Sequence, residues 1–362
     1  MDTRSSEPIR TDFMIVAACL VVVIAGLRAA SGIVVPLLLA VFISLLCAGP
    51  FTWLKARKVP AFAAIILIIV LIASLFIALG TYIGVAANDF LQEIPRYQER
   101  TQAMLDRLTS WLSHYGIHIP RRMVDYLDPA SILQIFTNIL SGIGNAITWL
   151  FLILFTMIFV LMESQTFVGK IMSAFKSSPH MMETLGFIFQ CVRKYLAIKT
   201  WISLATGISV MLWLFAIGVD YAVLWGILAF LFHFIPNIGS LIAAVPAVGF
   251  SLVDAGVTTA LLAGLGYTLI NLVFGNILEP VFMGRGLSLS TLVVFLSLVF
   301  WGWILGPVGM LLSAPITMIL KIAFESFPST RWISVLLDAD APLPVDLPPT
   351  PVDLGRLSSR QP

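Results

Sequence analysis

The sequence predicts an all-α, polytopic helical membrane protein of about seven or eight transmembrane segments, two of them broken by proline and glycine. Three observations predict it. Of the 362 residues, 59% are hydrophobic and 11% charged, whereas a soluble domain carries about 25% charged residues. The apolar runs approach the ~20 residues a helix needs to cross a bilayer, and they lack the alternation of barrel strands. Two runs late in the chain carry the same internal Pro/Gly punctuation.

Residues 1–87 read as an N-terminal unit of three spans. Phe13 to Leu27 is the first; the mixed charges before it, Asp2, Glu7 and Asp12 beside Arg4 and Arg10, argue for a retained span over a cleaved signal peptide. Ile33 to Phe51 is the second, with Pro36 near its first turn. The loop Lys55-Ala-Arg57-Lys58 is cytoplasmic by the positive-inside rule, and the N-terminus with it. Ala61 to Ala87 is the third.

Residues 88–138 form the one sizeable polar region. Phe90, Ile94, Tyr97, Met104, Leu108 and Trp111 recur every three to four positions with some slack, and charged residues fill the gaps, which predicts an amphipathic extracytoplasmic helix. His114 and His118 stand four apart, but Gly116 and Pro120 oppose a helix there, so no metal site is expected. Residues 139–199 hold a fourth span, Ile139 to Met162, and a cytoplasmic connector whose Lys170, Lys176, Arg193, Lys194 and Lys199 outnumber its acids. Cys19, Cys47 and Cys191 lack paired spacing and read as buried single thiols.

Residues 200–327 form the core. Trp201 to Val219 is a span, Ala222 to Val253 the first broken element, Thr258 to Asn276 a further span, and Leu287 to about Phe324 the second broken element. In the first, Pro236, Gly239 and Pro246 interrupt the apolar run; in the second, Gly306, Pro307, Gly309 and Pro315 do. Proline lacks a backbone donor and glycine favours non-helical torsions, so both elements should unwind. Unwound backbone at membrane depth is tolerated only inside protein or beside a polar cavity. Paired interruptions therefore point to the solute site of a secondary transporter; kinked structural helices are the plainer alternative. Thirty-odd residues suit a re-entrant hairpin or one tilted span plus an arm. Residues 328–362 read as a cytoplasmic tail, rich in proline and mostly disordered.

An ionisable residue inside a membrane bundle is a functional candidate by default. Asp220 and Asp254 sit at segment ends and read as ordinary loop residues. Glu279 and Arg285 flank Pro280 and Gly284 in an otherwise apolar run. They suit a gating pair or a salt bridge that fixes a loop. Burial favours a neutral carboxyl, so Glu279 also suits a coupling proton. His233, three residues before Pro236, is either a hydrogen-bonded structural residue or a second proton carrier. Asn237 and Ser240 are neutral hydrogen-bonding groups that suit a small hydroxyl-rich solute.

No phosphate-binding loop of the G-x-x-x-x-G-K-[ST] type occurs, which argues against nucleotide-driven pumping. No nucleophile–base constellation or metal-ligand cluster appears, so neither enzyme activity nor a cofactor or metal is expected. The net charge of +2 comes without a large basic cluster, and no nucleic-acid partner is expected.

The strings Phe234-Ile-Pro-Asn-Ile-Gly-Ser240, Asn271-Leu-Val-Phe-Gly-Asn-Ile-Leu-Glu-Pro280, Met283-Gly-Arg-Gly-Leu287 and Gly306-Pro-Val-Gly-Met-Leu-Leu-Ser-Ala-Pro315 closely resemble the autoinducer-2 exporter (AI-2E) family. The resemblance covers nearly the whole chain up to Lys321. It implies an inner-membrane transporter exporting autoinducer-2, a small furanone-derived quorum-sensing signal. It further implies a homo-oligomer, a pentamer, embedded in the lipid bilayer, and an elevator-like movement of the broken elements. Family motif positions carry over onto Pro236, Asn237, Gly239, Pro246, Asn271, Asn276, Glu279, Pro280, Gly284, Gly306, Pro307, Gly309 and Pro315. Many members have a His-Pro pair where this chain has Ser290-Thr291, so a mechanism that needs that histidine does not transfer. Family members are also linked to sodium/proton exchange, with Glu279 as the exchanging group here. A different class, a scaffold or receptor whose residues 88–138 bind a partner, is the remaining alternative.

Overall fold

The computed structural model describes residues 7–115, 149–174, 179–236, 238–283, 289–326 and 330–339. Among these, helices account for nearly everything, and the one β-type contact is an isolated bridge between Leu289 and Asp338. The protein is a polytopic helical membrane protein. Five helices are long and apolar enough to cross a membrane: Ser31–Ala56, Ala61–Ala86, Thr184–Ala216, Val257–Met283 and Thr291–Glu325. Their outward faces carry Phe62, Leu71, Phe215 and Leu261, all exposed, as expected where lipid tails replace water.

The first helices are α1 (Glu7–Ala29), α2 (Ser31–Ala56), α3 (Ala61–His114) and α4 (Leu150–Ala174). Cys47 and Phe51 of α2, Ala64, Ile65 and Ile68 of α3, and Met157 and Leu161 of α4 form one buried apolar cluster. The span and the amphipathic region expected as separate pieces are one helix of 54 residues, about 81 Å long at 1.5 Å per residue. His114 ends it, while His118 lies outside the described residues. Cys47 and Cys191 are buried, but Cys19 is exposed on α1, a correction to the expectation of three buried thiols.

Helix α5 (Pro179–Ala216) begins well before the expected start of its span. The connector expected around Lys194 and Lys199 is thus largely helical. Next come α6 (Ala222–His233) and α7 (Gly239–Ala255), joined by a short non-helical turn. The Trp225 ring lies 5.6 Å from that of Phe250, and Tyr221 lies 5.9 Å from Phe250. Residues near the start of α6 therefore meet residues near the end of α7, and the first broken element is an antiparallel hairpin. At 12 residues, α6 is about 18 Å long, too short for a ~30 Å hydrocarbon core. The hairpin packs through Leu224, Trp225, Leu228, Ala243 and Ala247 on Val210 and Leu214 of α5 and on Ala263 and Tyr267 of α8 (Val257–Asn271).

Helix α8 continues into a π-helical stretch, Leu272–Leu278, and then α9 (Glu279–Met283). Helix α10 (Thr291–Glu325) carries the second break at Gly306, whose φ of 69° and ψ of −153° are non-helical. That combination is essentially confined to glycine. Across it the chain doubles back: Trp301 Nε1 donates to Thr317 Oγ1 at 3.2 Å, although sixteen residues of straight helix would separate them by about 24 Å. A Cβ on Gly309 would run into the backbone carbonyl of Trp301, so the arms close tightly beyond the turn. The second broken element is a hairpin too. Its inner arm packs Ala314, Met318 and Ile322 on Cys191, Tyr195 and Leu196 of α5. Its tip packs Ile304 and Leu305 on Val35 of α2.

Part of the expected tail is ordered: α11 (Arg331–Leu337) returns to the foot of this hairpin. Ser290 N–H donates to Leu337 O at 3.1 Å, and Lys321 pairs with Asp338 at 3.1 Å. Residues 340–362 lie outside the described part.

Candidate functional site

The turn between α6 and α7 follows from its residues. Pro236 cannot donate, and helical bonding stops at His233. It resumes at Gly239, where a Cβ would strike the Phe232 carbonyl. This tip faces the π-helical stretch. Pro280 accounts for that widening in part, since its ring crowds the carbonyl four residues back and its nitrogen cannot complete the ladder. Single π-helical turns recur at functional sites.

Between the tip and the widened turn lies a polar cavity of about 260 Å³, lined by Lys199, His233, Ile235, Pro236, Ser240, Asn271, Gly275, Asn276 and Glu279. Lys199 Nζ donates to Glu279 Oε1 at 2.6 Å. His233 Nε2 stands 3.5 Å from Glu279 Oε2, an ion-pair approach short of a good hydrogen bond. The Lys199 side chain is 4% exposed, that of His233 5% and that of Glu279 16%. Charges this deep need partners, and here each charge has one. The lysine has two further N–H donors and the carboxylate further lone pairs to offer a solute. Gly275 leaves room for Asn271: a Cβ there would lie 2.8 Å from Asn271 Oδ1 and 3.6 Å from His233 Cε1. The cavity thus offers two carboxamides, a hydroxyl, an imidazole and an ion pair to one small polar molecule.

The structure brings together His233, Pro236, Ser240, Asn271, Asn276 and Glu279 from two separate stretches of chain. Other expected site residues stand apart from this cavity. Gly239 and Pro246 are buried within α7, Pro280 sits exposed in α9, and Gly306, Pro307, Gly309 and Pro315 belong to the second hairpin. Asn237, Gly284 and Arg285 lie outside the described residues, and with them the expected Glu279–Arg285 pair. Asp254 is no idle loop residue: Arg100 Nη1 on α3 donates to its Oδ1 at 3.0 Å and to its backbone carbonyl at 2.7 Å.

Sequence reasoning missed Lys199. Its run, Tyr195-Leu-Ala-Ile-Lys-Thr-Trp201-Ile, is apolar on both sides, and that setting was the available signal of a lysine inside a span. Among the described residues no group of three or more His, Cys, Asp or Glu is placed to hold a metal ion.

A family model described as AI-2E family transporter matches residues 17–329. The chain is similar to AI-2 transport protein TqsA of Escherichia coli, 41% identical over 325 residues that cover 90% of this chain and 94% of the relative. A Haemophilus influenzae protein named "Putative transport protein" is 39% identical over 327 residues, covering 88% and 94%. "Putative transport protein YhhT" of Escherichia coli is 36% identical over 346 residues, covering 94% and 98%.

Proposed function

We infer, because the chain belongs to the AI-2E transporter family, that it moves a small polar solute through the cavity between the hairpin tip and the π-helical turn. It is a multi-pass membrane transporter and not an enzyme. Our reading is export of autoinducer-2 or a closely similar small polar signal across the bacterial inner membrane by alternating access. The paired hairpins are the moving, elevator-like part, and the assembly is a homo-pentamer. The observation that carries the reading is the concentration of buried polar groups around Glu279 in an otherwise apolar core, at the tip of the first of two interrupted elements. Such pairs of broken helices are how secondary transporters build solute sites. The specific solute is suggested by the name of the relative TqsA.

The test is autoinducer-2 flux into proteoliposomes of the purified protein, with and without imposed proton and sodium gradients. Flux that follows a gradient and collapses in Glu279→Gln supports the reading. A second reading has its own observation: Glu279 stands between two basic groups, Lys199 and His233, as an exchanging carboxylate would. Proton-linked sodium movement without autoinducer-2 flux would favour that exchanger. Mass measurement in lipid nanodiscs tests the pentamer.

A further inference from the structure

Behind the cavity lies a second, much smaller chamber of about 10 Å³, between α5, the first hairpin and α8, lined among others by Thr206, His233, Ser240, Ala243, Tyr267 and Asn271. It shares His233, Ser240 and Asn271 with the larger cavity. Its volume is about that of one water molecule on this measure. Two of the residues that line it carry orphan atoms: among the described residues neither Tyr267 Oη nor His233 Nε2, both buried, has a hydrogen-bond partner, the nearest approach to the imidazole nitrogen being Glu279 Oε2 at 3.5 Å. Tyr267 is 6% exposed and His233 5%. A buried polar atom left without a partner costs about 1–3 kcal/mol, and native structures resolve such atoms with ordered water. Thr206 is already engaged, its Oγ1 donating to Ile202 O at 2.9 Å.

We propose that this chamber is a one-water binding site in which the water bridges Tyr267 Oη to His233 Nε2, making Tyr267 a positioning residue for the imidazole of the cavity. A water needs two to four polar partners; Ser240 and Asn271 supply the remainder. The water competes with Glu279 for the His233 nitrogen, and this competition sets which group that nitrogen faces. The ring nitrogens of a histidine are governed by their hydrogen-bond partners, so Tyr267 controls His233 without touching it. The charged groups facing His233 are Glu279 from α9 and Lys199 from α5. The consequence for transport rests on the function proposed above; the water site itself does not.

The test uses full-length protein in lipid nanodiscs with 15N-labelled histidine, the His233 signals being assigned by their loss in His233→Gln. Tyr267→Phe removes one oxygen, and Ala243→Val fills the chamber. Both should displace the His233 Nε2 resonance in the same direction, while the other three histidines serve as internal controls. A resonance that stays in place in either variant overturns the proposal. Autoinducer-2 flux recorded on the same samples separates the two claims: absent flux with the displaced resonance would sink the transport reading and leave the water site standing.

Discussion

Lys199 and Glu279, eighty positions apart in the chain, meet at 2.6 Å in the interior. The pair closes α5 against α9 beside the cavity, and it makes one element's charge depend on the position of another. A motion that separates them must supply new partners to both or carry them together.

Removing Lys199 leaves the Glu279 carboxylate with only His233, 3.5 Å away, and breaking a buried pair in this way costs up to about 3–5 kcal/mol. Lys199→Met should therefore unfold in detergent at a clearly lower temperature than the wild type. Lys199→Met combined with Glu279→Leu should recover most of that loss while remaining inactive in flux assays. Equal thermal stability of the single variant and wild type would show that the pair is solvated.

Gly275→Ala should act on the solute and spare the fold. The added methyl would sit 2.8 Å from Asn271 Oδ1, so the carboxamide must rotate away from its place in the cavity. We expect a raised half-saturation concentration with normal expression and little change in melting temperature. An unchanged concentration dependence would remove Asn271 from the solute site.

At Gly306 the backbone torsions are the constraint. An alanine there, at φ 69° and ψ −153°, carries a strain of about 1–3 kcal/mol. Gly306→Ala should lower both melting temperature and flux. Pro307→Ala, one residue later, should do much less. Should the two variants behave alike, the turn does not depend on the glycine.

The Arg100–Asp254 pair predicts a modest effect. Its side chains are 39% and 11% exposed, so solvent screens it and its worth is about 1 kcal/mol or less. Arg100→Asp should loosen the end of α7, measured as faster amide exchange over residues 250–255. The swap Arg100→Asp with Asp254→Arg should restore the slower exchange. Failure of the swap to restore it would mean that the backbone contact, and not the charge, holds the pair.

The helical class was legible because composition alone excludes a soluble fold, and the breaks were legible because Pro236 and Gly306 have local chemistry. Glu279 stood out as a lone acid in an apolar run. Lys199 did not, because it falls among Arg193 and Lys194 at the end of a positive stretch, where it reads as a marker of orientation. Its partner is fixed by packing eighty positions away, which no local pattern encodes. The π-helical turn at Leu272–Leu278 left no mark in composition. The choice between hairpin and crossing depended on contacts such as Trp225 with Phe250, and the continuity of α3 on the lack of any breaker strong enough to stop it at residue 87; Pro95 lies within the helix.

In each broken element the chain doubles back, and a hairpin of this kind makes no net crossing between its two ends. Helix α8 with its continuation to Met283 lies between them and is long enough to cross; where it crosses, the mouths of the two hairpins open on opposite faces. A hydropathy count that scores each as one crossing makes two errors. They cancel in parity, and the far terminus comes out on the correct side. Everything between residues 256 and 290 is nevertheless inverted, Glu279 with it, so a topology map that agrees at both ends can still put the one buried carboxylate of the cavity nearest the wrong aqueous phase.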